Sequence, residues 1–133
     1  MAAGKYSFVI EQGSTVDFEI TYNDSNSNPV DLTDYQARMQ IRPSYGSSTI
    51  YMTLSSSLGP CGTGLNMSGS GGTKPPTSGS IGIYISAVSS SQLSFSEALY
   101  DLEIASGSGN CTTVTRILEG KIRLSKNITL GSY

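Results

Sequence analysis

The sequence contains no histidine and no tryptophan, and only 14% of its 133 residues are charged. Without histidine, the chain has no Ser-His-Asp triad, no Cys-His pair and no metal site with imidazole ligands. Its 8 Lys and Arg residues stand against 10 Asp and Glu residues, for a formal net charge of −2. Nucleic-acid binding and polybasic membrane anchoring both need a basic surface, so this balance argues against both. The sequence therefore predicts no catalytic residues, no metal ligands and no cofactor, and we expect that the chain is not an enzyme.

Long apolar segments are also missing. No apolar run reaches the length of about 18 residues that a membrane span needs, and the first residues lack the basic and apolar segments of a secretory signal. We therefore expect assembly in a cytoplasm, where thiols stay reduced. The two cysteines, Cys61 and Cys111, both lie beside glycine-rich turns. A disulfide between them stays open as an alternative if their Cα atoms lie within about 7 Å.

Small hydroxyl residues and period-2 alternation dominate what is present. The chain has 24 serines, 12 threonines and 15 glycines, a composition that favours strands and turns over helices. Apolar and polar residues alternate in most segments, most clearly over 16–22. No segment predicts a helix long enough to connect parallel strands, so we expect antiparallel pairing. The sequence predicts one all-β domain over residues 1–133, an antiparallel two-sheet immunoglobulin-like sandwich of about eight strands.

Two pairs of carboxylates lie on the predicted strands. Asp17 and Glu19 form one pair, and Asp101 and Glu103 form the other. Residues two apart on a strand are separated by about 6.6 Å, which is within the range of glycosidase carboxyl pairs. Nothing near them in the sequence predicts that one pKa is raised relative to the other. We interpret both pairs as parts of solvated sheet faces.

Residues 56–79 form the one long segment without alternation, and we expect an irregular loop there. Its sizeable apolar residues are Leu58, Leu65 and Met67. Their burial is too little to offset the backbone entropy of ordering the whole segment. We therefore expect the loop to be disordered in the free protein and ordered against a neighbouring subunit, with these three residues as candidate interface residues.

Two tyrosines are further candidate interface residues. Tyr51 and Tyr84 lie on the polar faces of predicted strands. Tyrosine is enriched at protein interfaces, because it combines apolar area with one hydrogen-bonding group. It is also common on ordinary sheet surfaces, which is the alternative interpretation.

The pattern Ala98-x-Tyr100-x-Leu102 is the most specific local motif. In immunoglobulin-type sandwiches, a tyrosine two residues before an inward-facing position donates a hydrogen bond to backbone at the corner between sheets. Here Leu102 stands in place of the cysteine, and Ser96 stands in place of the customary acidic residue. The motif predicts that Tyr100 is a structural corner residue, and the alternative is an ordinary core tyrosine. Further along, Gly120 predicts a β-bulge.

Three segments together resemble a known family. They are Asp31-Leu32-Thr33-Asp34-Tyr35, Tyr100-Asp101-Leu102-Glu103-Ile104 and Gly120-Lys121-Ile122. Their order and spacing resemble the small immunoglobulin-like β-sandwich modules of tailed-bacteriophage virions, especially those of cyanophages. Similar modules form the amino-terminal domain of baseplate proteins that carry fibres.

The resemblance implies a structural protein of the virion. Its partners are then other virion proteins, namely tail, baseplate or fibre subunits, in a symmetric multi-copy assembly. Because the module fills the chain, we expect an adaptor that joins such components. The alternatives are a head decoration protein and a carbohydrate- or receptor-binding module on the virion surface.

Overall fold

Two β-sheets form the framework of the computed structural model, which describes residues 4–107 and 112–129. Helix accounts for only 11% of the chain, and the prediction of an all-β sandwich is confirmed. The described residues form nine strands: β1 (Gly4–Lys5), β2 (Phe8–Glu11), β3 (Val16–Thr21), β4 (Gln36–Arg42), β5 (Met52–Ser55), β6 (Gly64–Asn66), β7 (Ser80–Ile85), β8 (Glu97–Ser106) and β9 (Thr113–Ser125).

The strands divide into a six-stranded sheet A and a three-stranded sheet B. In sheet A the order is β5-β4-β8-β9, and both β1 and β2 lie along the far side of β9. In sheet B, β7 lies between β3 and β6. Alternate residues of the strands enter a common core. The most completely buried apolar side chains come from both sheets: Ile10, Met39, Ile41, Leu54, Leu65, Ile81, Ile83, Ile85, Leu102 and Ile122.

The expectation of purely antiparallel pairing is wrong at one edge of sheet A. Both β1 and β2 run parallel to β9, with Gly4 opposite Leu118 and Phe8 opposite Ile122. Consecutive parallel strands need a crossover connection, but these strands come from opposite ends of the chain. The strands β3 to β8 lie between β2 and β9 in the chain and make the connection, so no crossover helix is needed.

The prediction of a β-bulge at Gly120 is wrong, because the bulge of β9 lies at another residue. Gly120 is in regular register opposite Tyr100, and the register shifts between Leu102 and Glu103, where Ile117 is the extra residue on β9. Gly120 has a different role. A Cβ atom there would lie 1.9 Å from the carbonyl oxygen of Tyr6, so only glycine lets the amino-terminal segment pass this closely between β1 and β2.

Residues 56–79 include a strand of sheet B, so the prediction of a loop that is irregular throughout is wrong, whereas disorder in the free protein stays a prediction. The segment contains β6, which pairs with β7, and three single turns of 3₁₀ helix: Pro60–Gly62, Ser70–Gly72 and Pro76–Ser78. Apolar burial is not the only interaction that holds this segment, because a strand and hydrogen bonds from Ser70 also join it to sheet B.

The one α-helix among the described residues is short and follows β7. The helix α1 (Ala87–Ser91) begins at Ser86, whose hydroxyl accepts a hydrogen bond from the backbone N–H of Ser89 at 3.2 Å. This is a standard N-cap. No helix in the described ranges has the length and apolar character to cross a membrane.

Candidate functional site

The outer face of sheet A carries a network of opposite charges. Strand alternation puts Arg38 of β4 and Glu103 of β8 on this face, and the register places them opposite each other, where they form an ion pair. Arg116 bridges Asp101 and Glu119, with 3.3 Å between nitrogen and oxygen in each pair. We call this surface the charged face and define it by seven residues: Lys5, Arg38, Arg42, Asp101, Glu103, Arg116 and Glu119.

The ion pair at the edge of the charged face shifts the pKa of both partners. Nζ of Lys5 lies 3.0 Å from a carboxylate oxygen of Glu119. The hydrogen bond and the opposite charge raise the pKa of Lys5 and lower the pKa of Glu119. Both groups are therefore held in their charged forms across the neutral range.

A shallow groove of about 280 Å³ crosses the charged face. It is lined by backbone and side chains of β4, β8 and the turn after β4, including Gln40, Leu99 and Tyr45. Tyr45 is 81% exposed. Among the described residues, no segment covers this face.

The outer face of sheet B is covered by its own chain. Residues 67–79, which we call the cover segment, lie directly on β7. A Cβ atom at Gly82 would lie 2.7 Å from the carbonyl oxygen of Gly69, so the two backbones touch. The hydroxyl of Ser70 donates to Asp17 at 2.6 Å, and Lys74 forms an ion pair with Glu19. The strand β7 is consequently buried on both of its faces, apart from Tyr84.

The carboxylate pairs lie in settings unlike those of a glycosidase. Glu19 accepts hydrogen bonds from the Lys74 ammonium and from the backbone N–H of Ser70, and these lower its pKa. A catalytic acid needs its pKa raised instead. Asp101 and Glu103 are each engaged by an arginine of the charged face. The carboxylates therefore bind cations and backbone of the same chain.

The candidate interface residues of the loop are dispersed in the structure. Leu65 is completely buried in the core, so the interpretation of this side chain as an interface residue is wrong. It lies on the strand β6, within the segment for which the sequence predicts a loop. Met67 packs partly buried against the core, and Leu58 is 50% exposed.

The two candidate tyrosines also lie apart. The ring of Tyr51 stacks on that of Phe95, with 4.7 Å between the ring centroids. Tyr84 lies half-buried on the outer face of sheet B, opposite Gly64 on β6. The structure therefore does not bring the five candidate interface residues together on one surface.

Tyr100 is buried, and its hydroxyl donates a hydrogen bond to the carbonyl oxygen of Tyr6 at 2.6 Å. Burial raises the pKa of Tyr100 above its ordinary value. The acceptor differs from that of the corner motif, which lies a few residues upstream in the chain. Here the hydrogen bond joins β8 to the amino-terminal segment, at the place where that segment passes Gly120.

The polar segment after β3 has a simple local role. The Asp24 carboxylate accepts hydrogen bonds from the backbone N–H groups of Asn26 and Asn28 and so closes a turn. Cys61 is exposed, whereas Cys111 lies outside the described residues. Within the part of the chain that the structure describes, no group of three or more Cys, Asp or Glu residues is arranged to hold a metal ion.

A second groove, of about 320 Å³, escaped the sequence analysis. It lies between the end of β3 and β9, beyond the point where β1 begins at Gly4. The groove brings together residues 20–23 and 115–118, and alternation within single segments does not reveal which distant segments are neighbours.

Comparison with known proteins assigns no family. No protein-family model matches the chain, and no curated protein matches it in sequence.

Proposed function

We propose that this chain is a non-enzymatic structural protein of a phage virion, an adaptor that joins tail, baseplate or fibre components through protein–protein contacts. The sandwich fold is compatible with the modules that the three sequence segments resemble. The observation that carries the proposal is the charged face of sheet A, which no described segment covers, whereas the chain covers the outer face of sheet B itself.

Stability does not explain the charged face. The side chains of Arg38 and Arg116 are 62% and 54% exposed, and exposed ion pairs contribute only about 0–1 kcal/mol. Charges arranged in opposite-sign pairs are better suited to setting the orientation and register of a partner surface. A partner with a complementary pattern would bind across β4, β8 and β9.

A structural role is also consistent with the chemistry of the carboxylates. Glu19 and Glu119 both have lowered pKa values, because each binds a lysine. Neither is poised to deliver a proton near neutral pH. We therefore expect no hydrolase or transferase activity from the purified chain.

The test is incorporation into particles. Phage that carry Arg38→Glu should lose this protein from purified particles, because the substitution places two acids opposite each other on the charged face. Val88→Glu is the matched control, since Val88 is 64% exposed on α1. Quantitative mass spectrometry of the particles measures both. Absence of the wild-type chain from purified particles would contradict the proposal. Equal incorporation of wild type and Arg38→Glu would show that the charged face is not the surface that binds the partner.

Copy number separates the adaptor role from the head-decoration alternative. Tail, baseplate and fibre parts occur in small multiples of three or six, following the symmetry of the tail, whereas decoration proteins cover the whole head. The same mass spectrometry measures the ratio of this chain to the other virion proteins. A ratio typical of the head surface would support decoration instead.

One feature favours a second candidate function, carbohydrate or receptor binding. The exposed ring of Tyr45 lies beside Gln40 and Arg42 at the groove of the charged face. Specific small-ligand sites combine apolar or aromatic area with a few polar groups in this way. Binding on a glycan array that Tyr45→Ala abolishes would support this candidate, and no binding would contradict it.

A further inference from the structure

Arg42 is the cation of the charged face that pairs with no carboxylate in the described part of the chain. The other three cations of that face each form an ion pair with one of its acids. The Arg42 guanidinium instead donates to neutral oxygens, namely the side-chain oxygen of Gln40 and the carbonyl oxygen of Ser47. Because neutral acceptors do not cancel its charge, Arg42 can still bind an anion.

The hydrogen bonds of Arg42 hold its guanidinium in place and leave two of its donors for a ligand. A guanidinium has five N–H donors in one rigid plane. Nε and Nη2 donate to Gln40 at 3.2 and 2.7 Å, and Nη1 donates to the Ser47 carbonyl. Nη1 and Nη2 therefore each keep one N–H that no described residue accepts. Two donors on adjacent nitrogens match the two oxygens of a carboxylate.

Next to Arg42, three residues form a row across the outer face of sheet A. Gln40 on β4 is opposite Asp101 on β8, and Asp101 is opposite Glu119 on β9. Side chains opposite each other on neighbouring strands have Cβ atoms about 4.5–5.5 Å apart. The bonds to Gln40 direct the Arg42 guanidinium towards this row, and all four residues line the groove. The groove therefore places a cation beside hydrogen-bond acceptors.

Two carboxylate oxygens at the groove are free to accept hydrogen bonds from a ligand. Arg116 pairs with Oδ2 of Asp101, and Arg38 pairs with Oε1 of Glu103. The second oxygens, Asp101 Oδ1 and Glu103 Oε2, accept no hydrogen bond from the part of the chain that the structure describes. An ionised carboxylate only accepts hydrogen bonds, so these oxygens suit the hydroxyl groups of a ligand.

The exposed ring of Tyr45 adds an apolar surface to the same groove. After the hydrogen bond and the charge of Glu119, the Tyr45 phenol contributes to the raised pKa of Lys5. The Tyr45 side chain therefore lies near the end of the groove where Lys5 and Glu119 pair. An aromatic ring combines apolar area with a defined orientation, and a sugar ring can pack on it through its C–H groups.

The charge of the face favours a ligand with a single negative charge. The seven residues of the charged face are four cations and three acids, so its net charge is +1, whereas that of the whole chain is −2. The three acids repel a more highly charged group, such as a phosphate or a run of acidic side chains. Their free oxygens instead favour hydroxyl groups. One carboxylate together with several hydroxyl groups is the chemistry of an acidic sugar.

We propose that the groove of the charged face binds a sugar that carries a carboxylate, such as a hexuronic acid unit of a polysaccharide. Arg42 binds the carboxylate of the sugar. The free oxygens of Asp101 and Glu103 accept hydrogen bonds from its hydroxyl groups, and the ring of Tyr45 packs on its ring. The inference rests on the carbohydrate-binding candidate of the proposed function and names the ligand class, whereas the adaptor role does not depend on it.

The test compares acidic and neutral sugars on the full chain. Methyl glucuronide and methyl galacturonide carry the carboxylate, and methyl glucoside and methyl galactoside carry a CH₂OH group in its place. At least one uronide should bind about 10-fold or more tightly than its neutral counterpart, because the neutral sugar cannot make hydrogen bonds to Arg42 through a charged group. Titrations followed by the backbone amide signals in NMR spectra measure the affinities, and the shifted signals should belong to residues that line the groove.

Substitutions at the groove test which side chain recognises the carboxylate. Arg42→Gln should lower the affinity for the uronide to that of the neutral sugar. Arg123→Gln is the matched control, since it removes the same charge from an exposed position of β9 that does not line the groove, and it should bind the uronide like wild type. Tyr45→Ala should also weaken uronide binding, and its exposed position makes it a second variant that keeps the fold.

The proposal is overturned if neither uronide binds, if the neutral sugars bind as tightly as the uronides, or if Arg42→Gln binds the uronide like wild type. Neutral sugars that bind at the groove and depend on Tyr45 would keep the carbohydrate candidate and reject the acidic ligand. No binding on the glycan array would reject the carbohydrate candidate itself. A short peptide with one glutamate that binds through Arg42 more tightly than either uronide would assign the groove to a protein partner, and the proposal of an acidic sugar would be wrong.

Discussion

The two sheets are each crossed at a glycine by another part of the chain, but on different sides. The cover segment lies on the outer face of sheet B and touches it at Gly82. The amino-terminal segment passes sheet A at Gly120, where the Tyr6 carbonyl also accepts the Tyr100 hydrogen bond. The outer face of sheet A keeps its exposed charges. The outer face of sheet B is therefore bound by a segment of the same chain, whereas the outer face of sheet A is available to a partner.

The cover segment is rich in glycine and serine and packs on sheet B with little apolar burial. Its backbone lies against Gly82, and its Ser70 and Lys74 bind the two carboxylates of β3. The two acids of β3 therefore hold the cover segment in place. Carboxylates on the charged face of sheet A instead bind arginines and lysine of the same sheet or its edge.

The largest expected effect is on the crossing at sheet A. Gly120→Ala should lower the free energy of unfolding by about 3 kcal/mol or more, because the new Cβ atom would meet the Tyr6 carbonyl oxygen and displace the acceptor of Tyr100. Urea unfolding followed by circular dichroism measures the change. Gly4→Ala is the matched control, since its nearest contact would be an ordinary 3.6 Å. Equal midpoints for Gly120→Ala and wild type would show that the amino-terminal segment is not needed at that position.

The second prediction concerns the crossing at sheet B. In Gly82→Ala, the Cβ atom would lie 2.7 Å from the Gly69 carbonyl oxygen, so the cover segment must move off the sheet. We expect a loss of about 2 kcal/mol and new proteolytic cleavage within residues 67–79. Cleavage sites identified by mass spectrometry check this. A stable, uncleaved variant would mean that the cover segment can shift without detaching, and the contrast between the two outer faces would then be weaker than described.

Much of the fold follows from single-segment patterns, and the rest depends on contacts between distant segments. Alternation in β8 correctly predicts that Ala98, Tyr100, Leu102 and Ile104 point inward. The parallel pairs of β9 were missed because they join the two ends of the chain. Sequence spacing carries no information about such pairs.

The candidate surfaces were less predictable than the fold. The acids of β3 were interpreted as solvated, since nothing local shows that Ser70 and Lys74 bind them. The charged residues of sheet A could be assigned to strand faces from their alternation. That their face is uncovered follows only from where the cover segment lies, which is a property of the whole fold.

A smaller effect is expected at Tyr100. Tyr100→Phe should cost about 1 kcal/mol of unfolding free energy, the usual net value of a buried hydrogen bond, because the Tyr6 carbonyl loses a donor. Tyr45→Phe is the control, with a hydroxyl on an exposed ring. Since burial raises the pKa of Tyr100, an ultraviolet absorbance titration should also show a phenol in folded wild type that ionises at higher pH than after unfolding, and Tyr100→Phe should remove it. Equal stability of Tyr100→Phe and Tyr45→Phe would show that the Tyr100 hydrogen bond does not help to hold the amino-terminal segment against sheet A.

The smallest effect is a local one, the opening of the cover segment in acid. Hydrogen bonds from Lys74 and from the Ser70 N–H lower the pKa of Glu19 from its ordinary 4.5. A carboxyl group with a lowered pKa in the folded state stabilises that state when ionised. Its contribution is therefore complete above pH 4.5 and is lost as the pH falls through the lowered pKa.

Protection of the Ser70 amide against hydrogen exchange, measured by NMR relative to the intrinsic rate at each pH, should fall in this acid range. Glu19→Gln should show weaker protection at neutral pH and no acid step, whereas Glu97→Gln, on an exposed position of β8, should behave like wild type. Salt should weaken protection in wild type more than in Glu19→Gln, because the ion pair lies at the surface. An acid step that survives in Glu19→Gln would assign the opening to another carboxylate, and Asp17, which binds the Ser70 hydroxyl, would be the next to test.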